Sequence, residues 1–202
     1  MALSHNRYFI INKPYQMVSQ FTSSEKVRLL GELDFDFPAG THAVGRLDNK
    51  SEGLLILTTN KRITKLLFEG DTKHKRTYLV QAEKVMNEET LQQLRNGVSI
   101  KINNETYTTQ PCEVMVVQKP TNLFTHSRTF EDYLPQTWLH ITLTEGKFHQ
   151  IKKMLATVGH DCKRLIRIAI ENLVLGNLRP GEVQEMPEEV FLKLLMLDNN
   201  VG

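Results

Sequence analysis

The sequence predicts an α+β fold built on a mixed, largely antiparallel sheet flanked by helices. Segments with strand character outnumber those with helical periodicity, and neighbouring strand segments often lie close enough to be joined as hairpins. The chain has 202 residues, of which 40% are hydrophobic and 24% charged. This is enough for one sizeable domain or two small lobes, and it excludes disordered and fibrous classes.

The predicted strands are short apolar or β-branched runs that end at turn residues. Residues 8–11 form the first strand, which stops at Asn12-Lys13-Pro14 because Pro14 lacks an N–H donor and restricts the residue before it. Residues 139–143 alternate apolar and polar side chains, which indicates a strand with one solvated face. The other predicted strands are 42–44, 54–58, 76–82, 98–102, 106–109, 113–117, 164–170 and 173–175.

Five segments have helical spacing of their apolar residues. In the fourth, apolar residues recur at i, i+3, i+4 and i+7 from Ile151, and Gly159 suits the helix end. The five predicted helices are 25–33, 60–68, 87–97, 151–158 and 187–197. Between the strands, the polar stretch 119–136 is long for a loop, and we expect it to be mobile or to touch substrate.

Basic residues concentrate in two blocks although the net charge is only +2. Residues 61–84 hold seven basic and three acidic side chains, and residues 147–167 hold six basic and one acidic. Such blocks indicate a positive face that could meet a polyanion such as nucleic acid. Two helices with ordinary solvated lysines explain the charge alone equally well.

Several classes of protein are disfavoured by simple features. The longest apolar runs are far shorter than the roughly 20 residues needed to cross a bilayer, and the first residues lack a signal-peptide pattern. We therefore expect a cytoplasmic protein with no membrane partner. Its two cysteines, Cys112 and Cys162, form neither a disulfide framework nor a four-ligand zinc pattern.

The loop 45–53 is the most informative stretch for chemistry. It joins two predicted buried strands, has glycine at each end, and carries Asp48 two positions after Arg46. A carboxylate on such a loop can act as a nucleophile or a base at a surface pocket. Taken alone, Asp48-Asn49 is more typical of a plain turn.

Read together, ordered segments resemble a known family. Five segments are similar, in residue type and order, to the motifs of the bacterial RsuA/RluB/RluE pseudouridine synthases. They are Lys13-Pro14, Gly45-Arg46-Leu47-Asp48 continuing to Thr58, Tyr78-Leu79-Val80, the run from Glu145 to Met154, and Leu175-Gly176 with Pro180-Gly181-Glu182. The resemblance covers about residues 8–185 and is strongest to the RluE type. It implies the pseudouridine synthase fold, with two lobes around a basic cleft.

The resemblance also implies an activity and a catalytic centre. Asp48 matches the aspartate that attacks the target uridine, so that the N-glycosidic bond breaks, the base turns over and carbon 5 bonds to the ribose. Tyr78 matches the tyrosine that packs on the target base. Lys152 stands where the family usually has an arginine that pairs with the aspartate, and a lysine lacks the bidentate guanidinium fork.

Other basic residues correspond to RNA contacts. Arg46 matches the side chain that fills the gap left by the flipped nucleotide, and Arg76 stands where many members have lysine. The remaining candidates for phosphate contacts, each equally well explained as solvated surface, are Lys153, Lys163, Arg164 and Arg167.

The resulting expectation is a cofactor-free, monomeric enzyme that isomerises a uridine in ribosomal RNA of the large subunit. We expect residues 1–202 to form a single catalytic domain without a separate N-terminal RNA-binding domain. The alternatives are a catalytically inactive RNA-binding protein of the same fold and a synthase acting on transfer RNA. A hydrolase would need a second carboxylate, for which only Glu52 is near Asp48, and the scattered histidines disfavour a metalloenzyme.

Overall fold

The computed structural model describes residues 6–70, 72–124 and 134–197. It contains eleven strands and four α-helices within that part of the chain, which confirms the predicted α+β class. The strands are β1 Tyr8–Lys13, β2 His42–Val44, β3 Glu52–Thr58, β4 Arg76–Glu83, β5 Ser99–Ile102, β6 Glu105–Thr108, β7 Glu113–Val117, β8 Gln136–Leu143, β9 Cys162–Ile170, β10 Leu173–Val174 and β11 Val183–Met186. The helices are α1 Arg62–Phe68, α2 Glu88–Asn96, α3 Gln150–Thr157 and α4 Glu188–Leu194.

The chain divides into two compact units. Unit 1 comprises residues 1–74 and 167–202, and unit 2 comprises residues 75–166, so that β9 passes from one unit to the other. None of the helices in the described ranges is long and apolar enough to cross a membrane.

Unit 1 is organised around β3, whose seven residues are all buried. This strand pairs antiparallel with β1 and with β2, and β1 pairs antiparallel with β11 on its other edge. Strand β10 pairs antiparallel with the end of β9. Apolar side chains of α1 and α4, such as Ile63 and Phe191, join those of β1 and β3 in one hydrophobic core.

Unit 2 is organised around the antiparallel pair of β4 and β8, to which β7 adds a further antiparallel strand. Strands β5 and β6 form a separate hairpin. Helix α2 begins after Asn87, whose side chain accepts a hydrogen bond from the Thr90 N–H, and it ends at Gly97 with φ of 93°. Apolar residues of α2 and α3 pack with those of the strands in a second core.

The predicted helix at 25–33 is wrong. Only residues Leu30–Glu32 are helical, as a single 3₁₀ turn. The backbone here bonds to an earlier segment instead of to itself: the Val18 N–H donates to the Arg28 carbonyl and the Leu30 N–H donates to the Gln20 carbonyl. Pairing with residues 18–20 therefore replaces the intrahelical bonds that the apolar spacing predicts.

Most other predicted elements are confirmed within a few residues at their ends, and strand β11 was not predicted. Much of the polar stretch predicted at 119–136 lies outside the described residues.

Candidate active site

The loop between β2 and β3 carries Asp48 in unit 1. At its start Gly45 has φ of +70°, and a Cβ there would lie 2.7 Å from Cε2 of Phe68. Only glycine meets both conditions without strain. At its end the Ser51 N–H donates to the Asp48 carbonyl at 3.0 Å, and the Ser51 hydroxyl donates to Asp48 Oδ2 at 3.4 Å. The loop therefore holds the half-buried Asp48 in a closed turn.

A second anchor fixes the residue before Asp48. The hydroxyl of Ser19, only 6% exposed, accepts a hydrogen bond from the Leu47 N–H and donates one to the Leu47 carbonyl, both at 3.0 Å. Both peptide groups of a buried residue thus depend on one side chain that lies 28 positions away. This role of Ser19 was not predicted, because nothing in the local sequence indicates which loop a serine will reach.

Arg46 is exposed on the same loop and lines an open cavity of about 680 Å³. The rest of this lining comes from residues 18–27 and is largely polar, with Gln20 and Thr22 among its side chains. The structure therefore places a guanidinium beside polar groups that can hydrogen-bond a ligand, next to the loop that carries Asp48.

In unit 2, β4 presents Arg76 and Tyr78 two positions apart, hence on one face of the strand. They pair with Leu143 and Ile141 of β8. Tyr78 is half-buried and packs against the core of unit 2. The Arg76 guanidinium lies against the loop that follows β8, since a Cβ added at Gly146 would be 3.1 Å from its Nη1.

The loop 144–149 is held by a network around Glu145. Its carboxylate accepts hydrogen bonds from the Tyr107 hydroxyl, from the Gln110 N–H at 2.9 Å and from Gln150 Nε2 at 2.7 Å. Gln150 Oε1 in turn accepts from the Lys147 N–H at 2.9 Å. The bond to Glu145 also raises the pKa of Tyr107 above its usual value. This network fixes the entry to α3, the helix that carries Lys152.

The predicted basic residues of unit 2 occupy different environments. Lys152 and Lys153 are both partly exposed on α3. Lys163 Nζ lies 3.0 Å from Oε2 of Glu83 and 3.7 Å from Oδ2 of Asp161. Arg164 Nη2 donates to the Phe124 carbonyl at 2.7 Å.

Arg167 differs from the other predicted phosphate contacts because it is only 2% exposed. Its Nε donates to the Leu54 carbonyl of β3 at 2.8 Å, within unit 1. This geometry favours a role in supporting the strand that follows the Asp48 loop.

Two features bear on the alternative activities, those of a hydrolase with two carboxylates and of a metalloenzyme. Glu52, the acid nearest to Asp48 in sequence, is buried at the start of β3. Within residues 6–70, 72–124 and 134–197, no three His, Cys, Asp or Glu side chains come together as ligands of a metal ion would.

Comparison with known proteins decides the family. A family model described as RNA pseudouridylate synthase matches residues 7–157. The chain belongs to this family. It is 36% identical to a ribosomal large subunit pseudouridine synthase E of Vibrio vulnificus (strain CMCP6), over 92% of this chain and 77% of that protein. The resemblance stated from the motifs is thereby confirmed, and the chain is an RNA pseudouridine synthase.

Other relatives extend the comparison. A ribosomal large subunit pseudouridine synthase E of Xanthomonas axonopodis pv. citri (strain 306) is 34% identical over 85% of this chain and 89% of its own length. The ribosomal small subunit pseudouridine synthase A of Escherichia coli (strain K12) is 30% identical over 94% and 74%. A crystal structure of a pseudouridylate synthase shares the fold, with a TM-score of 0.75 and 24% identity over 96% of this chain and 76% of its own.

Proposed function

We propose that this enzyme converts a uridine of large-subunit ribosomal RNA to pseudouridine, with Asp48 as the catalytic carboxylate. The observation that carries the proposal is the anchoring of the Asp48 loop from Gly45 to Ser51. A nucleophile must be held in one geometry to react efficiently, and this loop is fixed through Gly45, Leu47 and Ser51.

The substrate class is supported by the relatives. Two proteins named for the large ribosomal subunit share 36% and 34% identity with this chain, against 30% for the one named for the small subunit. We extend the same expectation to the setting: a cytoplasmic, monomeric enzyme that works on RNA without a cofactor.

Asp48 would attack the target uridine, which breaks the N-glycosidic bond and leaves the base free to turn within the site. Carbon 5 of the base then bonds to the ribose, which releases the Asp48 carboxylate. Carbon 5 loses its proton to solvent, and the nitrogen that was bonded to the ribose takes one up. A carboxylate suits this sequence because it is a nucleophile in its ionised form and needs no deprotonation step. Its partial burial protects it from full hydration.

Tyr78 and Lys152 would complete the catalytic set. Tyr78 is half-buried on β4, so its ring is supported on one side by the core and can offer the rest of its surface to the extruded base. Lys152 would supply a positive charge for Asp48, but its ammonium cannot make the two parallel hydrogen bonds that an arginine makes to a carboxylate.

The RNA would be held by cations from both units. Arg46 would fill the gap left by the extruded nucleotide, and Arg76 would meet the backbone beside the loop 144–149. Lys153, Lys163 and Arg164 would provide further phosphate contacts. For Arg167, whose head group is buried, we propose support of β3 in place of a phosphate contact.

The substrate is tested by tritium release. Wild-type enzyme is incubated separately with transcripts of large-subunit ribosomal RNA, small-subunit ribosomal RNA and transfer RNA. Each transcript carries tritium at carbon 5 of its uridines. The proposal predicts release from the large-subunit transcript at no more than a few sites. Release only from transfer RNA or small-subunit RNA would replace the proposed substrate, and salt-sensitive binding without any release would favour an inactive RNA-binding protein.

A further inference from the structure

Phe148 is an aromatic side chain to which the catalytic scheme gives no task. It lies in the loop between β8 and α3, and its side chain is 65% exposed, the highest value of any Phe or Trp in the described ranges. Single exposed apolar residues are common on protein surfaces, so exposure alone indicates nothing. The surroundings of the ring make it informative.

The ring of Phe148 forms a platform with its neighbours. It stacks on the imidazole of His149, with ring centroids 3.9 Å apart and planes 17° from parallel. The Lys153 ammonium lies 5.1 Å from the Phe148 centroid. Lys147, the preceding residue, places its own ammonium 4.6 Å from the centroid of the Tyr107 ring. Aromatic surface and positive charge therefore occur together at the entry to α3.

The platform is also held in place. His149 has φ of 55°, a left-handed conformation that a residue other than glycine adopts when its surroundings enforce it. Its carbonyl accepts a hydrogen bond from the Lys153 N–H at 3.0 Å. The bonds of Glu145 and Gln150 described above fix the same loop from its other end. A ring presented from an anchored loop loses little freedom when a ligand binds.

The charge of this segment favours a polyanion. Residues 145–157 contain three lysines and a single acid, Glu145, whose carboxylate already accepts hydrogen bonds from Tyr107, Gln110 and Gln150. A peptide partner would typically bind in an apolar groove. One exposed ring among ammonium groups instead suits a nucleic acid, whose base can stack on the ring while its phosphates contact the ammonium groups.

We propose that Phe148, with His149 behind it, is a stacking subsite for an unpaired nucleobase of the substrate RNA, and that Lys147 and Lys153 contact the phosphates beside that base. The subsite deepens the proposed function, since it requires that the substrate be a structured RNA with unpaired bases. It is separate from the position given to the target uridine on Tyr78.

The placement of the loop within unit 2 is consistent with one RNA strand serving both positions. Tyr78 pairs with Ile141 of β8, and the loop begins three residues after that partner. The Arg76 guanidinium lies close to the same loop, with Nη1 3.1 Å from the position that a Cβ on Gly146 would occupy. Arg76, Phe148 and Lys153 could therefore follow consecutive parts of the backbone.

The test measures binding of unmodified large-subunit ribosomal RNA transcript at several salt concentrations. Because stacking on an aromatic ring is lost on truncation, Phe148→Ala is expected to bind roughly 5- to 150-fold more weakly. Phe148→Tyr should stay within about twofold of wild type, whereas Phe148→Leu should resemble Phe148→Ala. Met115→Ala, a control that removes an apolar side chain of similar exposure (58%) from β7, should bind as wild type does.

Salt dependence separates stacking from charge. Phe148→Ala should keep the wild-type slope of log affinity against log salt, while Lys153→Ala should reduce its magnitude by roughly 0.7 to 0.9. Equal binding by Phe148→Ala and wild type would overturn the subsite, as would full affinity in Phe148→Leu. Circular dichroism checks that each variant is folded. Tritium release by wild type tests the proposed substrate separately, so a change in binding without release would support the subsite while refuting the substrate.

Discussion

The replacement Ser19→Ala tests how the Asp48 loop is held. It removes one hydroxyl that accepts from the Leu47 N–H and donates to the Leu47 carbonyl, both at 3.0 Å, at a position 6% exposed. Each of the two buried groups left without a partner costs about 1–3 kcal/mol, so we expect the free energy of unfolding to fall by about 2–6 kcal/mol. Urea denaturation followed by circular dichroism measures this change.

The same replacement should lower kcat, because Leu47 directly precedes Asp48. A displacement of a reacting group by about 1 Å can cost a hundredfold in rate, and we expect kcat to fall by about ten- to a hundredfold with KM little changed. Tritium release is measured at a temperature where the variant is fully folded. Ser19→Thr, which keeps the hydroxyl, should recover part of the lost rate.

Ser99→Ala is the matched control, since it removes an exposed hydroxyl whose contact is the Thr108 hydroxyl at 3.2 Å. We expect it to stay within about 0.5 kcal/mol of wild type, as surface substitutions usually do. A Ser19→Ala variant with wild-type kcat and the stability of Ser99→Ala would refute the anchoring role of Ser19.

Two further outcomes follow from the packing of unit 2 and from one thiol. In urea denaturation, Gly97→Ala should lower the free energy of unfolding by about 1–3 kcal/mol more than Gly40→Ala does. Both glycines have positive φ, but of the two only Gly97 has a backbone atom in the way: a Cβ there would lie 2.2 Å from the Thr109 carbonyl oxygen. Burial raises the pKa of Cys112 to about 11 and so disfavours the thiolate. Iodoacetamide at pH 8 should therefore modify Cys112 about a hundredfold more slowly in the folded protein than in urea, as mass spectrometry would measure; equal rates would contradict this.

Local patterns predicted most of the fold because many elements have short-range signals. The alternation of residues 139–143 predicts β8, and Asn87 with Gly97 marks the ends of α2. The prediction of a helix at 25–33 was wrong because the backbone of this segment pairs with residues 18–20, and the spacing of apolar residues does not reveal such pairing. Strand β11 lacks an apolar alternation and is defined only by its pairing with β1.

The residues of the candidate site also divide into those that the sequence could identify and those that it could not. The loop glycine and the ordered motifs single out Asp48, Tyr78 and Lys152 from the sequence. Ser19 could not be identified as an anchor, because its contact with Leu47 depends on a chain path across 28 residues. Burial of Arg167 was equally hidden, since the sequence shows a cation but not the carbonyl that it reaches.

The proposed role of Asp48 in the isomerisation is tested most directly by tritium release from large-subunit ribosomal RNA, measured for wild type and Asp48→Asn. The asparagine keeps the shape of the side chain but is a far weaker nucleophile, so release should fall by at least about a thousandfold while RNA binding stays within a few-fold. Asn49→Ala, an exposed neighbour on the same loop, should keep wild-type activity. Release by Asp48→Asn at a rate near that of wild type would contradict the account.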